Sequence, residues 1–141
     1  MSTRCNIKVV EKTLEPYQES KALWFYRHSD GYPESVLPSL KPLIEALRSG
    51  KLRDNLSQFS GWLVIAGHRE YRKEDWMGNV GYDWKVGAYE PTTGMHGDIE
   101  YLYTIDLDKK SVEFDDLRGQ SELSPEQWLE EYGLTPVQEE G

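Results

Sequence analysis

The amino-acid order predicts an α+β fold: one domain, with a mainly antiparallel sheet of about five to six strands and about two to three helices packed on one face. Three observations carry that expectation. Segments of period-two alternation open the chain and recur in its second half. Capped apolar stripes of helical spacing stand in the middle and near the end. Strands follow strands through turns more often than they alternate with helices, which favours hairpins over parallel units. At 141 residues the chain is long enough to bury one self-supporting core.

Taken in order, Cys5, Ile7 and Val9 alternate with Asn6, Lys8 and Val10, and form a first strand. The polar stretch 11–21, with Pro16 in its middle, is a loop. Ala22 to Tyr26 is rich in aromatics and reads as a second strand, antiparallel to the first. If its pleat continues, His28 shares a face with Trp24 and Tyr26, and Arg27 shares the other with Leu23 and Phe25. Ser29-Asp-Gly-Tyr-Pro33 is turn chemistry. A helix is expected over Ser39–Ser49, with Ser39 as N-cap, Pro42 in the first turn, Leu40, Leu43, Ile44 and Leu47 as its stripe, and Gly50 as its end. A short second helix over Asp54–Ser60 carries Leu56 and Phe59 and stops at Gly61.

The apolar run Trp62–Ala66 reads as a central strand buried on both faces. The charged and glycine-containing stretch from His68 to Gly81 reads as an exposed excursion. Tyr82 to Ala88 alternates as a strand, and Glu90–Asp98 is a loop. Glu100 to Leu107 is a strand that turns at Asp108-Lys109-Lys110 into Ser111–Phe114. Ser124 and Gln127 frame a capping box with Pro125 at the first helical position; the helix carries Trp128, Leu129 and Tyr132 and ends at Gly133. The acidic tail from Leu134 is expected to fray.

Charge narrows the function classes. With 25 acidic and 16 basic residues the net charge is −9, which argues against a general nucleic-acid binder and suits a partner with a basic surface. The single cysteine excludes an internal disulfide and a cysteine-based zinc cage. No apolar run approaches a membrane span and no signal-peptide h-region opens the chain, so the expected compartment is the cytoplasm.

Candidate chemistry gathers on the stretch Leu23–Leu37, where an aromatic strand runs into Arg27, His28 and Asp30. His28-x-Asp30 and His96-x-Asp98-x-Glu100 together offer the mixed nitrogen and oxygen ligands that suit a divalent metal able to activate water. The bland counterpart is two turn-capping aspartates and two solvated histidines. Without a metal, His28 is the candidate base, Asp30 its orienting partner, and Arg27 or Arg4 an anion holder. Against this stands a structural network in which an arginine pairs with Asp30. Ser2 as an N-terminal nucleophile is a remote option, and Cys5 faces the expected core as a small hydrophobe.

A third expectation is a binding module. Trp76, Tyr71 and Tyr82 stand among charged residues, the composition of recognition surfaces, and Arg4, Asp30, Tyr32 and Trp76 are the candidate contacts. The reading that follows is a small acidic partner-binding or regulatory protein with no cofactor. Its alternative is a hydrolase, with or without a divalent metal.

Met1-Ser-Thr-Arg4, the stretch Tyr26–Pro33 with its Asp-Gly-Tyr-Pro turn, and the Glu100–Leu107 strand resemble a group of small microbial and phage-encoded proteins. Those proteins open Met-Gly-Thr-Arg and carry the same turn after an aromatic strand. This chain departs in Ser2 and in His28-Ser29 before the aspartate. The resemblance implies that the shared feature lies at Arg4, Asp30, Gly31, Tyr32 and Pro33, and it implies no reaction.

Overall fold

The computed structural model describes residues 3–12, 21–74, 86–119 and 121–136, with side chains in the second segment described as far as residue 70. Along the chain run β1 (Cys5–Glu11), β2 (Lys21–Arg27), α1 (Pro33–Arg48), α2 (Leu56–Glu74), β3 (Glu90–Thr92), β4 (Tyr101–Asp106), β5 (Ser111–Asp116) and α3 (Pro125–Glu131). The five strands form one sheet in the order β3-β2-β1-β4-β5. β1 is antiparallel to β2 and parallel to β4; β2 with β3 and β4 with β5 are antiparallel. The α+β class and the mainly antiparallel pairing match the expectation, and the single parallel pair makes the sheet mixed.

Alternation decides which face is covered. Cys5, Ile7 and Val9 of β1, Phe25 and Arg27 of β2, Tyr101, Tyr103 and Ile105 of β4, and Val112 and Phe114 of β5 are buried against the helices. Val36, Leu37, Leu40, Ile44 and Leu47 of α1, Phe59 and Leu63 of α2, and Leu129 of α3 complete this core. β3 is a three-residue edge strand with Pro91 in its middle, where a missing backbone donor is tolerated.

The helices depart from the sequence reading. α1 begins at Pro33, not at Ser39, and Tyr32 is its N-cap. Pro38 and Pro42 lie inside it and each removes a helical hydrogen bond. Complete burial of Val36 and Leu37 ahead of Ser39 outweighs that loss. α2 runs straight through Gly61, so neither the short helix ending there nor the strand over Trp62–Ala66 exists. Within that run Leu63 is fully buried while Trp62 and Ile65 are exposed, the pattern of a helix rather than of a doubly buried strand. Asn55 starts α2 by accepting bonds from the Ser57 and Gln58 N–H groups. The charged residues His68–Glu74 extend this helix instead of forming an excursion.

Gly67 and Gly87 allow α2 to touch the segment leading to β3. A Cβ at Gly67 would lie 2.8 Å from the Tyr89 nitrogen, and one at Gly87 would lie 2.5 Å from the His68 nitrogen. The expected strand over Tyr82–Ala88 falls partly outside the described residues; Val86–Ala88 is not strand. The loop expected over Glu90–Asp98 contains β3. The β4–β5 hairpin and the capping box of α3 stand where the sequence put them. Arg48, at the end of α1, donates to the carbonyls of Lys110, Gly133 and Thr135, and so ties the hairpin turn and the C-terminal segment to that helix. Among the described residues no helix is long and apolar enough to cross a membrane.

Candidate functional site

The loop from His28 to Tyr32 joins β2 to α1 and is fixed from four directions. Asp30 has φ 56°, a left-handed conformation that aspartate tolerates better than most residues. The Gly31 N–H donates to the Thr3 carbonyl at 2.9 Å, and the Gly31 carbonyl accepts from the buried Tyr103 hydroxyl at 2.8 Å. Only a glycine fits there: a Cβ would sit 2.9 Å from the Thr3 oxygen and 3.0 Å from the Cys5 Cβ. Arg27 Nε donates to the Ser29 carbonyl at 2.8 Å. Finally, Tyr32 donates its hydroxyl to Asp30 Oδ1 at 3.2 Å, and Pro33 starts α1.

Arg27 is 4% exposed and committed to the fold. Its Nη1 lies 2.8 Å from Glu70 Oε2 on α2, and its guanidinium sits 5.2 Å from the Tyr89 ring centre. Burial works against its charge, but the neighbouring Tyr89 and Glu70 outweigh it and hold the pKa above the ordinary value. Burial pushes the Cys5 thiol up to about 12, so this cysteine is an inert part of the core. Tyr103 is likewise held well above its ordinary value by burial.

On the open face of the sheet the pleat does carry His28 to the side of Tyr26. Tyr26 meets both candidate histidines: its hydroxyl is 3.1 Å from His28 Nδ1, and its ring stacks on His96 at 4.1 Å between centres with a 10° tilt. Burial first, then Asp98, raises the Tyr26 pKa, which keeps the hydroxyl protonated beside His28. His96 Nε2 bonds Thr92 Oγ1 at 3.0 Å, and its backbone N–H donates to the buried Asn6 Oδ1 at 2.7 Å. Asn6 Nδ2 in turn donates to the Phe25 carbonyl.

The carboxylates of the sequence pattern go elsewhere. Asp98 pairs with Arg4 at 3.1 Å, Glu100 pairs with Arg118 at 3.3 Å, and Asp30 holds Tyr32. Neither Arg4 nor Arg27 pairs with Asp30; the loop is held instead by its backbone bonds, the Arg27 bond to the Ser29 carbonyl and the Tyr103 and Tyr32 hydroxyls. Among the described residues no group of three His, Cys, Asp or Glu side chains comes together to hold a metal ion. Ser2, Trp76 and Tyr82 lie outside the described residues, as does the side chain of Tyr71.

On the covered side, Tyr32 opens onto a cleft of about 490 Å3 that sequence reasoning missed. Tyr32, Tyr101 and Trp128 line it with Leu123, Ser121, Glu34 and Glu122. Trp128 is held by its Nε1–H, which donates to Ser121 Oγ at 2.7 Å, and by a parallel stack on Tyr132. Among the described residues neither the Glu34 nor the Glu122 carboxylate has a hydrogen-bond or ion-pair partner. Burial, followed by Asp116, Glu34 and Glu100, raises the Tyr101 pKa, a sign of a negative field at the cleft. The sequence contained only an indirect signal: an aromatic residue at the start of one strand and another one turn into a capped helix. No protein-family model, curated protein or solved structure matches this chain.

Proposed function

We propose that this chain is a small, acidic, cytoplasmic partner-binding protein, of the microbial and phage type that its Asp-Gly-Tyr-Pro turn resembles, and that its partner presents a basic surface. The cleft beside that turn carries the reading. It combines three aromatic side chains with two carboxylates that have no partner among the described residues, and none of the described lysines or arginines lines it. Aromatic anchors beside unpaired charge are what recognition surfaces use, and the fixed loop holds Tyr32 at little entropic cost. The net charge of −9 favours the encounter with a cationic partner at low salt. No cofactor is required for this role.

The test is direct binding of the full chain to a lysine- and arginine-rich peptide and to a glutamate-rich peptide of equal length, by calorimetry at two salt concentrations. Binding of the basic peptide alone, weakening as salt rises, supports the reading. Equal binding of both peptides, or of neither, overturns it.

A second reading, a small hydrolase, draws on the meeting of His28 and His96 at Tyr26. With or without a divalent metal, the imidazoles would serve as proton carriers or ligands. Thermal unfolding of metal-stripped protein with Zn²⁺, Mn²⁺ or Mg²⁺ tests the metal form. A ligand at about 100 times its dissociation constant adds roughly 2.7 kcal/mol of stability, and that gain should vanish in a His28→Ala, His96→Ala double variant.

A further inference from the structure

We propose that the cleft between the loop and α3 is an arginine pocket, which takes one arginine side chain of the partner into the space bounded by Tyr32, Tyr101 and Trp128. The inference rests on the partner-binding reading above and names what that partner must present. The cleft favours a cationic ligand, because among the described residues its charged lining groups are Glu34 and Glu122. Flat, weakly hydrated surface suits it, because three of its lining residues are aromatic. A guanidinium meets both demands. It stacks on aromatic faces and matches a carboxylate with two parallel N–H donors, whereas an ammonium keeps a tight hydration shell that such walls would strip.

The cleft volume of about 490 Å3 falls within the range of small-ligand sites and has room for one arginine side chain. The walls are preorganised. Trp128 is held between its bond to Ser121 and its stack on Tyr132, and Tyr32 is held by Asp30. Tyr101 is anchored in β4 opposite Asp116.

The experiment is calorimetric titration of the full chain with three peptides identical except for one central residue: arginine, lysine or the neutral isostere citrulline. Wild type is compared with a Glu34→Gln, Glu122→Gln double variant and with Trp128→Phe. Circular dichroism confirms that each variant is folded. The expected order is arginine over lysine by several-fold, citrulline without measurable binding, and a roughly tenfold loss of arginine affinity in the double glutamine variant. Trp128→Phe, which keeps a ring but loses the bond that orients it, is expected to weaken arginine binding less than the double variant.

Arginine binding that is unchanged in the double variant overturns the pocket while leaving the partner-binding reading intact. Equal affinity for arginine and lysine peptides, both lost in the double variant, overturns the arginine assignment alone. No binding of either cationic peptide by the wild type overturns both readings.

Discussion

The two sides of the His28–Tyr32 loop differ in how much of their polar chemistry is already used. On the open face, each histidine has an intramolecular partner: His28 has Tyr26, and His96 has Thr92, Asn6 and the Tyr26 ring. Arg4 and Asp98 neutralise each other beside them. On the covered side, the two cleft carboxylates have no such partner among the described residues, and the Tyr32 and Trp128 side chains beside them are held by Asp30 and Ser121. Groups bonded within the fold have little left for a ligand, whereas solvated carboxylates beside fixed rings remain available to one. The comparison teaches that clustered histidines are a weaker pointer to function here than a plain aromatic cleft with spare charge.

The largest expected effect probes the covered side through pH. Cys5 and Tyr103 have ordinary values of 9.0 and 10.0 and are both raised in the fold. The unfolded chain therefore releases these protons first as pH rises. Stability is unaffected below about pH 8 and falls above about pH 9, at up to about 1.4 kcal/mol per pH unit for each group. By pH 11 the loss from these two groups should reach about 4 kcal/mol, measured by urea unfolding along a pH series. A flat profile from pH 8 to 11 would contradict the burial of these groups beneath the loop.

Next, Gly31→Ala strikes the shared support of both sides. Its Cβ meets backbone at Thr3 and the Cys5 side chain, so the loop must shift, at a cost of about 2 kcal/mol. The melting temperature should drop by roughly 6–8 °C, and arginine-peptide affinity should fall with it as Tyr32 is displaced. A variant as stable as wild type would show that the loop is less tightly seated than described.

Tyr103→Phe is milder and isolates one anchor. Loss of the hydroxyl leaves the buried Gly31 carbonyl without this donor and should cost about 1–2 kcal/mol in chemical unfolding. It should also flatten the alkaline profile by removing one of its buried groups. The smallest effect belongs to Tyr26→Phe, which deletes the bond to His28 but keeps the ring that His96 stacks on. It should cost about 0.5 kcal/mol and leave arginine-peptide affinity unchanged. A large loss of affinity in this variant would mean that the two sides of the loop are not independent.

Local chemistry was enough for every element whose residues answer to their own neighbours. The alternation of Cys5–Val10, the turn at Asp108–Lys110, the Ser124–Gln127 capping box and the continuation of the pleat from Tyr26 to His28 all involve contacts a few residues apart or one face of one strand. The early start of α1 and the length of α2 did not follow from such rules. Pro38 and Gly61 are local stop signals, and both were overridden because the helix on either side buries Val36, Leu37, Phe59 and Leu63 in the core. The roles of the charged residues were also tertiary decisions. Arg27 goes to Glu70, Arg4 to Asp98, and the cleft forms from Tyr32, Tyr101 and Trp128, which are far apart in the chain. Periodicity reports which face a side chain takes; only the packing of faces against one another selects its partner, because that selection depends on distances the linear order does not contain.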